Sequence, residues 1–442
     1  MDKNNELLTL IGGAIKRQDF VNNHKEKPSD FTRNRILDFP IIFMLILKKS
    51  VKSLQLILNE LFIQKHINST VSSSAYSQAR SKFKHTAFIE LNDGAIKIYY
   101  KDNKIKRWNG YRVFGVDGSK IILPNTKEMQ QEFGEIKIRN QQNKPMADSY
   151  VSAMFECCYD VLNNIAIQSS LAKGDSYELS LATQMLKEQG TPLVHQNKDL
   201  LIYDRAYGSY EFMANLIYYK KNFVIRCKSN SFKSATESLF SGRGSRDKIV
   251  KLKAPTDKKK VLEAQGLLSE ITVRFVSVVL DTGEIEVLIT SLMDPSIRRS
   301  EFKALYFLRW GVEGFFNLIK GRLNLENFTG KSVESVKQDF WSTIFITNVE
   351  TILTEKTEVT VNNNLKEDLL PKKINKAVSF NAIKNMAFDL FFNEENYSVM
   401  NKKLIKLFKE NMIVQRSRTS PRDKISVRKA YNFQRRSKKH VY

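Results

Sequence analysis

Only three cysteines occur in 442 residues, Cys157, Cys158 and Cys227, and two of them are adjacent. An odd count without a C-x-x-C pair excludes a disulfide framework and a zinc ribbon, and fits a reducing cytoplasm. Histidine is nearly as scarce, with five. None of His24, His66, His85, His195 or His440 has Arg three residues later, and no two flank a single residue. The His-x-x-Arg chemistry of tyrosine recombinases and the His-x-His metal site of rolling-circle enzymes are therefore absent. Long apolar runs are missing too. The most apolar stretch, residues 39–47, falls well short of the roughly 20 residues that span a bilayer and contains Pro40. The start, MDKNNELLTL, lacks the basic and apolar regions of a secretory leader. The expectation is a cytoplasmic chain with no membrane partner.

Acidic side chains are outnumbered, 47 against 71 Lys plus Arg, which leaves a net charge of +24. With 42% apolar residues, large cores can form and wholesale disorder is excluded. The excess of positive charge points to a polyanion, most often nucleic acid. It is concentrated at the ends: residues 401–442 hold 14 basic and 2 acidic side chains, and residues 1–110 are also strongly basic. The centre is nearly neutral. A catalytic core flanked by DNA-gripping segments has that distribution, because Lys and Arg make the phosphate contacts.

Residues 1–110 read as helical, with apolar spacings of three and four across 40–63 and a short basic helix over 72–84. That second helix is either a groove-entering helix or one wall of a small bundle. From Tyr111 the texture becomes strand-like. Strands are expected at 111–123, 150–162, 165–171, 200–203 and 223–227, with a hairpin turn at Asn163-Asn164 and helices over 178–189 and 209–221. Alternation of this kind is an α/β core. Residues 229–300 interrupt it with a strand pair, 271–280 and 285–292, and read as a β-rich insertion. One amphipathic helix is expected over 300–323, and further helices over 340–410. The last 27 residues, from Arg416, read as a basic tail.

Two aspartates end apolar strands: Asp117 after Val113-Phe114-Gly115-Val116, and Asp204 after Leu200-Leu201-Ile202-Tyr203. A carboxylate fixed at the polar end of a strand suits a hard divalent cation, although aspartates are also common in turns. On the 300–323 segment, 100° per residue places Tyr306, Arg309, Glu313 and Lys320 in one stripe about 60° wide, opposite Val312, Phe315 and Ile319. An ordinary Arg309–Glu313 ion pair would explain two of these residues but not the row. Three carboxylates can hold two metal ions that activate a nucleophile and stabilise the leaving oxygen of a phosphodiester.

The spacing Tyr306, two residues, Arg309, three residues, Glu313, six residues, Lys320 matches the YREK signature in full, and a pattern of that length is rare by chance. Asp117 in VDGS and Asp204 in YDRAYGS resemble the first and second acids of the same family. The chain thus resembles bacterial insertion-sequence transposases of the DDE type, strongest over 111–124, 200–208 and 305–341. Ala206 stands where many members have glycine. The resemblance implies an α/β fold: an RNase H-like mixed-sheet catalytic core in two parts, 111–228 and 301–400, the second with C-terminal helices. The β-rich insertion 229–300 would separate them. A helical DNA-binding domain, 1–110, would precede the core, and a basic tail, 401–442, would follow it. It further implies a DNA transposase that cuts and joins element ends by a cut-and-paste route. Asp117, Asp204 and Glu313 would be the catalytic metal ligands for two Mg²⁺ or Mn²⁺ ions. Tyr306, Arg309 and Lys320 would contact DNA, and Arg226 is a further candidate. Expected partners are double-stranded DNA, at element ends and target, and a second copy of the chain in the DNA complex, in the bacterial cytoplasm at the nucleoid. A nuclease or resolvase that cuts without joining would use the same acids. A transposase-derived DNA-binding protein would be expected to have lost one.

Overall fold

A computed structural model describes residues 2–50, 52–64, 70–101, 104–139, 145–188, 198–242, 245–392 and 397–416. The chain divides into two compact units, one of residues 102–321 and one of residues 1–101 joined by those from 322 onward.

The first is built on a nine-stranded mixed sheet. Its strands are β1 (Arg112–Leu123), β2 (Ile136–Arg139), β3 (Pro145–Asp160), β4 (Ile165–Lys173), β5 (Asp199–Tyr203), β6 (Asn222–Arg226), β7 (Asp247–Lys253), β8 (Glu270–Val279) and β9 (Ile285–Thr290). The order is β2-β3-β1-β5-β6-β9-β8-β7, with β4 also paired to β3. β1, β3 and β4 form an antiparallel meander, and β5 and β6 run parallel to β1. This is the mixed α/β sheet expected from the sequence. β5 is buried along its whole length, as a central parallel strand covered on both faces should be. The β3–β4 hairpin turns at Asn164, which takes the left-handed conformation (φ 58°) that asparagine tolerates. Residues 229–300 are β-rich, and through β7, β8 and β9 they lengthen this same sheet.

The N-terminal ends of β1, β5 and β6 are locked by buried charge. Arg112, fully enclosed, donates to Asp199, and Lys221 reaches the other oxygen of Asp199 at 3.1 Å. The network fixes the register that carries Asp117 and Asp204 to the opposite edge.

The expected single helix over 300–323 is three pieces: Glu301–Phe307, Trp310–Asn317 and a wide turn over Leu318–Arg322. Between the first two, the N–H groups of Leu308, Arg309, Gly311 and Val312 each bond three residues back, so the helix tightens there. A constant 100° per residue does not survive this change of pitch.

The second unit is helical. Residues 40–63, expected to be helical, form Phe39–Lys48 and Leu54–Gln64, parted at Lys49, which leaves helical geometry (φ 19°, ψ 103°). Asp38 caps the first of these by accepting from the Ile41 N–H at 2.9 Å, with Pro40 in the first turn where its missing N–H is harmless. The helix Ser73–Arg80 packs one face into the bundle and leaves Ser74, Ala75, Ser77 and Gln78 exposed on the other. Tyr76, Arg80 and Phe83 are all buried, and Arg80 binds Asp339 at 2.9 Å and Gln338 at 2.6 Å. These partners lie on the 31-residue helix Val333–Asn363, whose Phe340, Ile344, Phe345 and Val349 form the unit's centre. The expected tail 401–442 begins inside the helix Tyr397–Glu410, where Asn401, Leu404 and Phe408 are buried against the bundle, and only residues 417–442 lie outside the described residues.

Candidate active site

β1 and β5 pair in parallel as far as Gly115 opposite Ile202. Asp117 and Asp204 each stand two residues beyond that pair, on neighbouring strands and at the same sheet edge. Asp204 closes β5 and starts the short turn Arg205–Tyr207, where its carbonyl accepts from the Tyr207 N–H at 3.2 Å. Gly115, two residues before Asp117 and so on the same face, has no side chain, and the helix Trp310–Asn317 fills the space. A β-carbon there would lie 3.4 Å from both the Arg309 carbonyl and Val312. The glycine lets the helix approach until Arg309 reaches the strand.

Arg309 then stands between two acids. Its guanidinium is 3.4 Å from Asp117 and 2.8 Å from Glu313, and it packs over the Trp310 ring at 4.5 Å. It is 5% exposed, so the solvated polar stripe expected from regular helix geometry is not formed. Tyr306 is likewise buried, in the core with Leu305 and Phe302, and its hydroxyl has no partner among the described residues. The pitch change at Leu308–Arg309 turns both inward. Lys320 lies in the wide turn and donates to the Ser119 hydroxyl at 2.6 Å and to the Lys120 carbonyl, tying the turn to β1. Arg226 ends β6 and pairs with Glu286 at 3.0 Å. With Arg205 and Lys228 it lines an open cleft of about 710 Å³.

The Asp117 carboxyl is pushed up to about 6. Burial is the main cause, opposed by Arg309 and by the Gly118 N–H at 3.0 Å, and reinforced by the charges of Glu178 and Glu313. Burial also raises Tyr306. Two acids not anticipated from the sequence stand behind this edge. Glu156 on β3 is opposite Gly118, fully enclosed, and pushed up to about 8 by burial. Tyr207 donates to one of its oxygens at 2.9 Å, while the other has no partner among the described residues. Glu178 is raised by burial and then by the charge of Asp204. A β-carbon on Gly118 would lie 2.9 Å from an oxygen of each glutamate. A lone acid inside the apolar run of 150–159 was the available signal for Glu156.

Residues 108–349 match the family model of the transposase DDE domain, more than half of the chain. The chain belongs to that family. It is a DNA transposase, a polynucleotidyl transferase whose partner is DNA, and the family works with divalent metal ions. No curated protein matches the transposase. Among solved structures, the cryo-EM structure of the piggyBac transposase synaptic complex with hairpin DNA is similar over 95% of this chain and 84% of that chain, at 14% identity and a TM-score of 0.44. Among the described residues, no helix of the transposase is long and apolar enough to cross a membrane.

The donor set suits a hard divalent cation, although only Asp204 stands at a strand end: β1 runs on to Leu123, so Asp117 lies inside its strand, where burial raises its carboxyl. The acids are not gathered into a closed ring. Among the described residues, no three His, Cys, Asp or Glu side chains converge as ligands, and the Arg309 guanidinium fills the gap between Asp117 and Glu313.

Proposed function

We propose that Asp117, Asp204 and Glu313 are the catalytic acids of this transposase, and that together they hold Mg²⁺ or Mn²⁺, as two ions, when DNA is bound. The observation that supports this most is the single guanidinium shared by Asp117 and Glu313, with Asp204 at the matching position of the adjacent parallel strand. Bound divalent ions activate a hydroxyl nucleophile and stabilise the leaving oxygen in an in-line displacement. The chain's own residues do the rest. Arg309 opposes the burial that raises Asp117 and aims both acids until cations compete for them, which makes it a positioning residue. The Tyr306 hydroxyl, enclosed and without a partner among the described residues, reaches a phosphate oxygen beside the reacting centre once DNA binding opens the surrounding segment. Lys320 fixes the turn next to β1 and supplies positive charge there. Arg226, Arg205 and Lys228 line the open cleft beside Glu284 and Glu286, and contact phosphates of the flanking strand there.

The reaction is cleavage at element ends followed by joining to target DNA, by a cut-and-paste route in a complex with two copies of the chain. The helical segment 1–110 and the basic C-terminal tail add backbone contacts, and the setting is the cytoplasm at the nucleoid. The test is substitution of each acid by its near-isosteric amide. Asp117→Asn, Asp204→Asn and Glu313→Gln should each abolish metal-dependent nicking and joining while leaving the circular dichroism spectrum and DNA binding in place. Full nicking by Asp204→Asn would refute the assignment. Products that are cut but never joined would favour a nuclease or resolvase.

A further inference from the structure

A second concentration of positive charge lies in the helical unit. Lys49, the segment from Arg322 to Asn327, and the first turns of the helix Lys376–Phe392 enclose a pocket of about 340 Å³. Among the described residues four cations line it, Lys49, Arg322, Lys376 and Lys384, and no acidic side chain does. Lys376 is paired with Glu350, but Arg322 and Lys384 have no carboxylate partner among the described residues. Lys49 is held in place by donating to the carbonyls of Asn324 at 3.2 Å and Leu325 at 2.9 Å, neither of which neutralises it. The nearby interior acid, Asp339, is already saturated by Arg80 and the Thr329 N–H.

Like charges brought together in a partly desolvated site oppose folding unless an anion joins them. The strain is visible in the lysines. Lys384 is held down to about 8, by burial first and then by the charge of Lys49, and burial holds Lys49 down to about 8 as well. The floor is half-buried lysine, whereas Arg322, Asn324 and Asn381 at the rim are exposed. The volume is about eleven times the roughly 30 Å³ share of one water, enough for a phosphate group with part of its flanking sugars. Ammonium, guanidinium and amide donors around one opening are the groups that hold phosphate oxygens.

We propose that this pocket is a phosphate-binding site that grips the DNA backbone at a position separate from the catalytic acids. The proposal rests on DNA being the partner of this chain. An exposed rim admits a continuous strand, which favours a backbone phosphate over a small soluble one.

The experiment uses the full chain and a random-sequence duplex, with chelator present so that binding is read without metal. Failure here therefore leaves the assignment of the acids untouched, and inactive Asp117, Asp204 or Glu313 variants leave this pocket untouched. Lys384→Gln removes one floor charge, and Asn381→Asp places a carboxylate at the exposed rim. Lys384→Gln should reduce the slope of log affinity against log salt by about one, and Asn381→Asp should weaken binding about tenfold. Asn381 is at the surface, so this second variant decides the matter if Lys384→Gln fails to fold. Wild-type affinity and slope in folded variants would overturn the proposal. Inorganic phosphate titrated by calorimetry separates the sources. Heat that disappears in the variants while duplex binding is unchanged would assign the pocket to a soluble phosphate compound, and would also overturn it.

Discussion

Glu156 shows how one enclosed acid ties stability to pH. Its carboxyl is raised from 4.5 to about 8, chiefly by burial, with the Tyr207 hydroxyl opposing. Between those values the folded chain keeps a proton that the unfolded chain releases. The contribution to stability is therefore fully present below about pH 4.5 and is lost as pH rises through about 8. Glu156→Gln keeps the shape and the acceptor for Tyr207 but never ionises. The variant should gain thermal stability over wild type at pH 8.5 and little at pH 5, measured by melting with chelator present. Equal melting differences at the two pH values would show that burial does not set the proton affinity of this group. Arg309 makes the complementary point. A residue read as surface-facing is buried, and its two ion pairs hold acids from β1 and from its own helix.

Among the elements, the segment 301–322 carries most of the site, and its breaks matter more than its helicity. The tightened turn at Leu308–Arg309 sends Arg309 toward β1, and the wide turn over Leu318–Arg322 brings Lys320 back to Ser119. Both results depend on how near the helix lies to the strand, which Gly115 governs. A β-carbon there already lies 3.1 Å from Val161 and 3.4 Å from the Arg309 carbonyl. Gly115→Val adds two more methyl groups with no room for them. Overpacking of this kind destabilises by about 1–3 kcal/mol. Gly115→Val should therefore lower the denaturation midpoint by that amount and slow nicking, whereas Gly115→Ala should be milder on both. Wild-type nicking by a folded Gly115→Val would show that the strand–helix distance does not set the site.

For the whole molecule, charge is the governing quantity. The +24 excess is concentrated toward the ends of the chain, and part of what is described there already has internal partners, as Arg80 with Asp339 shows. Residues 417–442 carry charge without the apolar period that would build a core. Removing them should weaken binding to element-end and random duplexes alike. It should also flatten the salt dependence by about one unit for each phosphate the tail no longer neutralises. An unchanged salt slope in a filter-binding or fluorescence titration would exclude a backbone-binding role for the tail.

The sequence by itself determined the α/β class, the strands that become β1, β3, β4, β5, β6, β8 and β9, the strand-end position of Asp204 and the family. Those features are local: apolar runs bounded by turn residues, and a spaced set of chemically unusual side chains. It also named the candidate acids, since Asp117, Asp204 and Glu313 follow from residue type and position in the chain. What it did not determine was anything that depends on two segments meeting. Regular periodicity made 300–323 one helix with one polar stripe, and only packing against Gly115 and Val161 shows where the pitch changes and why Arg309 and Tyr306 are buried. The same holds for Glu156 and Glu178, which stand 22 residues apart in sequence yet converge on Gly118, and for the lysines of the phosphate pocket. Lys49 and Lys384 are joined only by the fold, because the free energy of bringing like charges together depends on distance and burial, and neither is written in the order of residues.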